Sequence, residues 1–246
     1  MPRVPLAVDK VQEFIGETVY DPYGRVAGRL VSFESDVDGT VQNVVVETES
    51  RDIRFIPAEA IEIKDGRVIV WPEWKVVAYR VIASYQRALK RLKGLEDMYS
   101  RNEIPSVVYH EMRKRLNASL SKLKDEAKKL RDMITQRMHE IEDSNLKLDR
   151  AIANLKVSYM AGEIGEKAYK TAIEHLRGAK DSNARELEDL KTTKNKVEAL
   201  ENGALDLVKS RASESKAEAK KQPEPAKAPA SPIQGLQPIP VKVIEG

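Results

Sequence analysis

Cysteine is absent from the sequence, and histidine occurs only at positions 110, 139 and 175. That composition removes thiol nucleophiles, thiolate metal sites and disulfide scaffolds together. His110, His139 and His175 stand singly among helical charges, where a surface or packing role outweighs catalysis or metal binding. The acidic pairs Glu140/Glu142 and Glu186/Glu188 flank helix surfaces and imply no pocket. No G-x-x-x-x-G-K-[ST] phosphate loop, G-x-S-x-G elbow or H-E-x-x-H pair occurs. Gly24-x-x-x-Gly28 lies at a strand turn and is explained there. The expectation is a protein without catalytic residues, metal site or cofactor.

The chemistry that remains is electrostatic or adhesive. Residues 75–131 carry 15 basic against 6 acidic groups, whereas 132–210 carry 13 against 15. Arg87, Lys90, Arg91, Lys93, Arg113, Lys114, Arg115, Lys128 and Lys129 are the candidates for binding a polyanion. Phosphates of nucleic acid or an anionic membrane would be met by the same sequence-independent attraction. The bland alternative is a solvated helix surface in a Lys/Glu-rich protein.

A second element of recognition lies in the tail. Residues 211–232 are Ala, Lys, Glu, Ser and Pro with no large apolar residue, the composition of a disordered linker. From Ile233 the composition reverses. Leu236, Pro238, Ile239, Pro240, Val241, Val243 and Ile244 are expected to bind a partner, because Ile239, Val241 and Val243 alternate as strand residues do. Two prolines pre-extend the chain, and an edge strand donated to a partner's sheet fits that pattern. The alternative is that the segment docks on its own barrel and completes that sheet.

The elements that must present these residues are legible from punctuation. Proline occurs at 2, 5, 22, 57, 72 and 105, is missing from 106 to 222, and then appears six times by 240. Residues 1–74 carry 8 basic and 14 acidic groups, so a total charge of +3 hides a dipolar chain. No apolar run reaches the ~18 residues that a membrane helix needs. The start MPRVPLAVDK lacks the long apolar core of a signal peptide, which predicts a cytoplasmic protein.

Residues 14–74 read as five or six short strands. The turns are Asp21-Pro22-Tyr23-Gly24, Asp36-Val37-Asp38-Gly39 and Lys64-Asp65-Gly66, and Val44-Val45-Val46 is β-branched. Turns every ~8–12 residues predict a small all-β closed barrel over 1–74. Trp71 and Trp74 are expected to close one end of its core, with ligand stacking as the lesser alternative.

From Lys75 the period is that of a helix. Ala78, Val81, Tyr85, Leu89, Leu92, Leu95 and Tyr99 share one face. The longer run is Leu116, Leu120, Leu123, Ala127, Leu130, Ile134, Met138, Ile141, Asn145, Leu148, Ile152, Leu155 and Tyr159, a coiled-coil seam with one stutter. Its Leu, Ile and Met members are assigned to self-association, as dimer or filament; a monomeric bundle with all seams satisfied internally is the alternative. A weaker third run comprises Leu176, Asn183, Leu187, Leu190, Val197, Leu200, Ala204 and Leu207.

An internal repeat punctuates the helices. Tyr99-x-x-Asn102-Glu103-Ile104-x4-Tyr109-x6-Leu116 recurs as Tyr159-x-x-Gly162-Glu163-Ile164-x4-Tyr169-x6-Leu176. Asn and Gly are the residues that best tolerate the left-handed conformation ending a helix. Two corners, near 100–105 and 160–166, are therefore expected within the helical region 75–210, giving coiled-coil hairpins. One kinked rod is the alternative.

Gly16-x-x-Val19-Tyr20-Asp21-x-x-Gly24-x-x-x-Gly28 and the step Ile56-Pro57-Ala58 resemble a PRC-barrel domain, an adaptor fold without enzymatic activity. The order of PRC-like barrel, coiled coil, Pro-rich linker (211–232) and apolar strand motif (233–246) resembles the CdvA family of archaeal cell-division proteins over essentially the whole chain. The resemblance implies a non-enzymatic scaffold that polymerises at the inner membrane face of the division site and associates with membrane and DNA. It further implies that Pro238-Ile239-Pro240-Val241-Lys242-Val243-Ile244 binds the ESCRT-III homologue CdvB, adding a strand to its winged-helix-like domain. The alternative function is a nucleic-acid-organising coiled coil that binds DNA or RNA through helices 75–131.

Overall fold

A computed structural model describes residues 6–219, with side chains as far as residue 204. The described residues up to 206 make one compact unit.

Six strands form one sheet: β1 (Thr18–Tyr20), β2 (Val26–Ser35), β3 (Val41–Glu47), β4 (Ile53–Pro57), β5 (Ile61–Lys64) and β6 (Arg67–Val70), in the order β4-β3-β2-β1-β6-β5. Every pairing is antiparallel except β1 with β6. Val11, from the short helix α1 (Val8–Val11), joins Val19, Leu30, Val41, Val44, Val46, Ile61 and Val68 in the core. Gly28 sits where β2 passes closest to β3. A Cβ there would come within 2.3 Å of the Glu47 carbonyl oxygen, and its φ of +149° disfavours any side chain.

The expectation of a closed barrel is corrected. β4 and β5 are the two edges of the sheet, and no ladder joins them. Pro57 ends β4 without an N–H to donate, and Ala58–Ala60 then coil into a 3-10 turn that carries the chain to β5.

Three long helices follow: α2 (Glu73–Ser100), α3 (Ser106–Met160) and α4 (Glu166–Ala219). At 1.5 Å per residue α3 is about 80 Å long. α2 buries Trp74, Ala78, Val81, Tyr85, Ala88, Leu92 and Leu95, a heptad stripe facing α3. Leu89, read as a member of that stripe, is only half-buried, and Ala88 takes its place. Trp74 lies in the first turn of α2, so it belongs to the helix that leaves the sheet. Trp71 donates its indole N–H to Glu62 Oε2 at 2.8 Å. α4 runs to Ala219, past the 210 boundary and into the segment that composition marks as linker. The remainder of that linker and the strand motif lie outside the described residues.

Both corners are built alike. Asn102 and Gly162 have φ of +57° and +74°. Glu103 N–H reaches back to the Met98 carbonyl at 3.0 Å, and Asn102 N–H to that of Tyr99 at 3.0 Å. Glu163 does the same to Ser158 at 2.9 Å, and Gly162 to Tyr159 at 3.1 Å. This paired six-to-one and five-to-two closure is a Schellman cap, which satisfies the last carbonyls of each helix. Tyr99 then stacks on Tyr109 with ring centroids 4.1 Å apart, and Tyr159 on Tyr169 at 4.4 Å.

Candidate interaction surfaces

The turn between β1 and β2 links the sheet to the helices. Asp21 Oδ1 accepts from the backbone N–H groups of Tyr23 at 2.9 Å and Arg25 at 2.8 Å. The fixed turn aims two side chains at α4. Tyr23 donates its hydroxyl to Asp189 Oδ2 at 2.7 Å, and Lys75 from α2 meets the same oxygen. Arg25 bonds Asn183 Oδ1 at 2.8 Å and Glu186 through its other guanidinium nitrogen.

Glu186 is 1% exposed, so its charge must be met within the chain. Arg137 of α3 grips it with a fork, Nε to Oε1 at 2.8 Å and Nη2 to Oε2 at 3.0 Å. Burial alone would raise the Glu186 pKa, but the hydrogen bonds from Arg137 and then Arg25 outweigh it and hold the carboxyl below its usual value. Burial, then the bond to Asp189, pushes the Tyr23 phenol far above its ordinary value. Beside this cluster Asn183 donates to Asn145 Oδ1 at 2.8 Å, so two polar seam positions satisfy one another. Arg131 pairs with the buried Glu201 further along the same helix pair. Sheet, α3 and α4 thus meet at one charge-compensated junction. Nothing in the sequence marks Glu186 as its centre, because its partners lie 161 and 49 positions away.

The seam assigned to self-association is partly covered within the chain. Leu120, Leu130, Ile134 and Ile141 are buried within the chain, while Leu116, Leu123, Met138, Leu148, Ile152 and Leu155 are half-buried. Large apolar side chains are exposed instead at the two corners: Met98, Val107, Val108 and Met112 at the first, Val157, Tyr159 and Met160 at the second.

A family model described as a CdvA-like coiled-coil domain matches residues 73–221, a range that begins at the first residue of α2. Cell division protein A of Sulfolobus acidocaldarius is 34% identical over 239 residues, covering 97% of this chain and 98% of its own. The chain belongs to the CdvA family. No solved structure matches. Membership in CdvA supports a role in cell division and a non-enzymatic one.

Within this CdvA chain the basic candidates separate into two groups. Arg87, Lys90, Arg91 and Lys93 on α2, and Lys114, Lys128 and Lys129 on α3, are exposed, and among the described residues none of these seven forms a salt bridge. Arg115 is exposed but pairs with Glu111 at 2.7 Å. Arg113 is half-buried and has partners within the chain. It donates to the Tyr109 hydroxyl at 2.6 Å and lies 3.6 Å from Glu96, so it braces the first corner. The CdvA tail candidates Leu236, Pro238, Ile239, Pro240, Val241, Val243 and Ile244 lie outside the described residues. Among the described residues no group of three or more His, Asp or Glu side chains could hold a metal ion, and no helix is long and apolar enough to cross a membrane.

Proposed function

We propose that the chain is a division scaffold: it self-assembles, anchors to an anionic surface, and uses residues 236–244 to recruit an ESCRT-III homologue. The observation that carries this reading is the similarity to Cell division protein A along 97% of the chain. The sheet, by its Tyr20-Asp21-x-x-Gly24 turn, acts as a PRC-like adaptor that orients the helices. The helices present Arg87, Lys90, Arg91 and Lys93 to phosphates of an anionic membrane, and the tail offers alternating aliphatic residues to the partner's sheet edge. The site of action would be the inner membrane face of the division site.

The test is fluorescence anisotropy of a labelled 223–246 peptide titrated with the winged-helix-like domain of an ESCRT-III homologue. Saturable binding that is insensitive to salt and lost with Val241→Asp supports recruitment. No change at ~100 μM, where even a weak strand-addition contact registers, contradicts it.

The row of exposed cations on α2, which form no salt bridge among the described residues, favours one rival, a nucleic-acid organiser. It predicts duplex DNA binding whose logarithm falls steeply with the logarithm of salt concentration.

A further inference from the structure

We propose that the open edge of β5 accepts the tail segment 238–244 of a second copy of this chain. The inference rests on the self-assembly part of the reading above and supplies its contact. The coiled-coil seam cannot serve as that contact freely, because Leu120, Leu130, Ile134 and Ile141 are already covered inside one chain.

β5 borders a cleft of about 720 Å³, with Ile61 and Ile63 on one wall and Tyr79, Ile82, Thr192 and Thr193 across from them. The two-residue turn Asp65-Gly66, with φ of +51° and +69°, closes β5 onto β6 through the pair Lys64 and Arg67. Antiparallel pairing alternates, and Trp71 N–H bonds the Ala60 carbonyl at 2.7 Å. Residues 60, 62 and 64 therefore face β6, while 61 and 63 direct backbone groups outward. Ile61 N–H is taken by Ala58 O in the 3-10 turn. Among the described residues no strand pairs with the outer side of β5, so the Ile61 carbonyl and both backbone groups of Ile63 are what the edge offers an incoming strand.

The tail matches this edge in parity. Pro238 and Pro240 have no N–H, so they must turn away from β5. That sets Ile239, Val241 and Val243 to donate and accept, and directly paired residues share a face. Their side chains then fall on the face of Ile61 and Ile63, which is the core face. Lys242, of opposite parity, falls on the face of Glu62, an opposite-charge neighbour. Donor and acceptor are different surfaces of one chain, so the contact is head-to-tail and generates rings or open filaments. A tail held this way is withheld from the recruited partner until it is displaced.

The chain contains no cysteine, which makes the test direct. Full-length Ile63→Cys and Val241→Cys chains are mixed under mild oxidation, with Glu111→Cys and Val241→Cys as the control pair. Strand neighbours lie at disulfide distance, so a mixed 63–241 disulfide at least tenfold above the control is expected. Glu62→Cys with Lys242→Cys repeats the measurement on the outer face, should Ile63→Cys disturb the core. Mixed species at the control level with both pairs overturn the proposal. So does closure only within one chain when both cysteines of a pair are placed together. Peptide capture by the ESCRT-III domain without the disulfide removes this inference alone; the disulfide without capture removes the recruiter reading alone.

Discussion

The Tyr23 hydroxyl and Asp189 Oδ2 lie 2.7 Å apart across 166 positions of sequence, and Ser182 Oγ donates back to the Tyr23 carbonyl at 3.1 Å. The sheet is therefore fastened to α4 by directional polar contacts beside a buried carboxylate. Such contacts set orientation more strictly than apolar packing does, because each bond fails when its angle is lost.

Removing one guanidinium from Glu186 should be costly. Arg137→Ala leaves a buried carboxylate short of its fork, and a loss of about 3–5 kcal/mol is expected by urea unfolding. Arg25→Ala should cost less, because Arg137 remains. Arg137→Ala combined with Glu186→Gln should recover part of the loss. A change below about 1 kcal/mol in Arg137→Ala would show that water already compensates the charge.

The same junction fixes a dependence on acid. The folded pKa of Glu186 lies below the unfolded value of about 4.3. Its contribution is present above that value and is lost as pH falls through the folded pKa. Melting temperature should therefore drop in acid more steeply for the parent chain than for Glu186→Gln. Parallel curves would contradict the assignment. Tyr23 works in the opposite sense: its folded pKa is raised, so its contribution is present below about pH 10 and is lost in alkali.

At the corners, Gly162→Ala puts a Cβ on a residue at φ +74° and should cost about 1 kcal/mol. Asn102→Gly should change stability by less than about 0.5 kcal/mol, since glycine adopts the same conformation freely. Tyr109→Ala should be more damaging than Tyr169→Ala, because Tyr109 is buried and also bonded to Glu96 and Arg113, whereas Tyr169 is half-exposed. Thermal melts of the four variants check the order.

These corners were readable because their signals are local. Asn102 and Gly162, ten-residue tyrosine spacings and Pro105 all act within two turns of helix. The strand turns were readable for the same reason. Barrel closure is not legible in the sequence, since it depends on whether two sheet edges meet, and here the 3-10 turn after Pro57 leads from one edge strand to the other. The junction around Glu186 was invisible: a glutamate inside a helical charge pattern resembles any solvated one until Arg25 and Arg137 arrive from distant segments. The internal pairing of Arg113 is hidden for a related reason, because its partner Glu96 lies on the neighbouring helix.

Arg87, Lys90, Arg91 and Lys93, all changed to Glu, should abolish binding to anionic vesicles or duplex DNA at low salt while leaving the melting temperature nearly unchanged. Arg113→Glu should do the reverse, lowering stability with little effect on binding. Equal loss of polyanion binding in both variants would mean that the first corner, not the α2 face, makes the contact.

In the proposed scaffold, assembly and recruitment reside in one chain and the tail does the recruiting. Full-length chain and a chain ending at residue 235 are each sedimented on anionic vesicles with an ESCRT-III homologue present. Both chains are expected to reach the vesicles, and only the full-length chain is expected to carry the homologue down. Equal capture by the two chains would contradict recruitment by the tail.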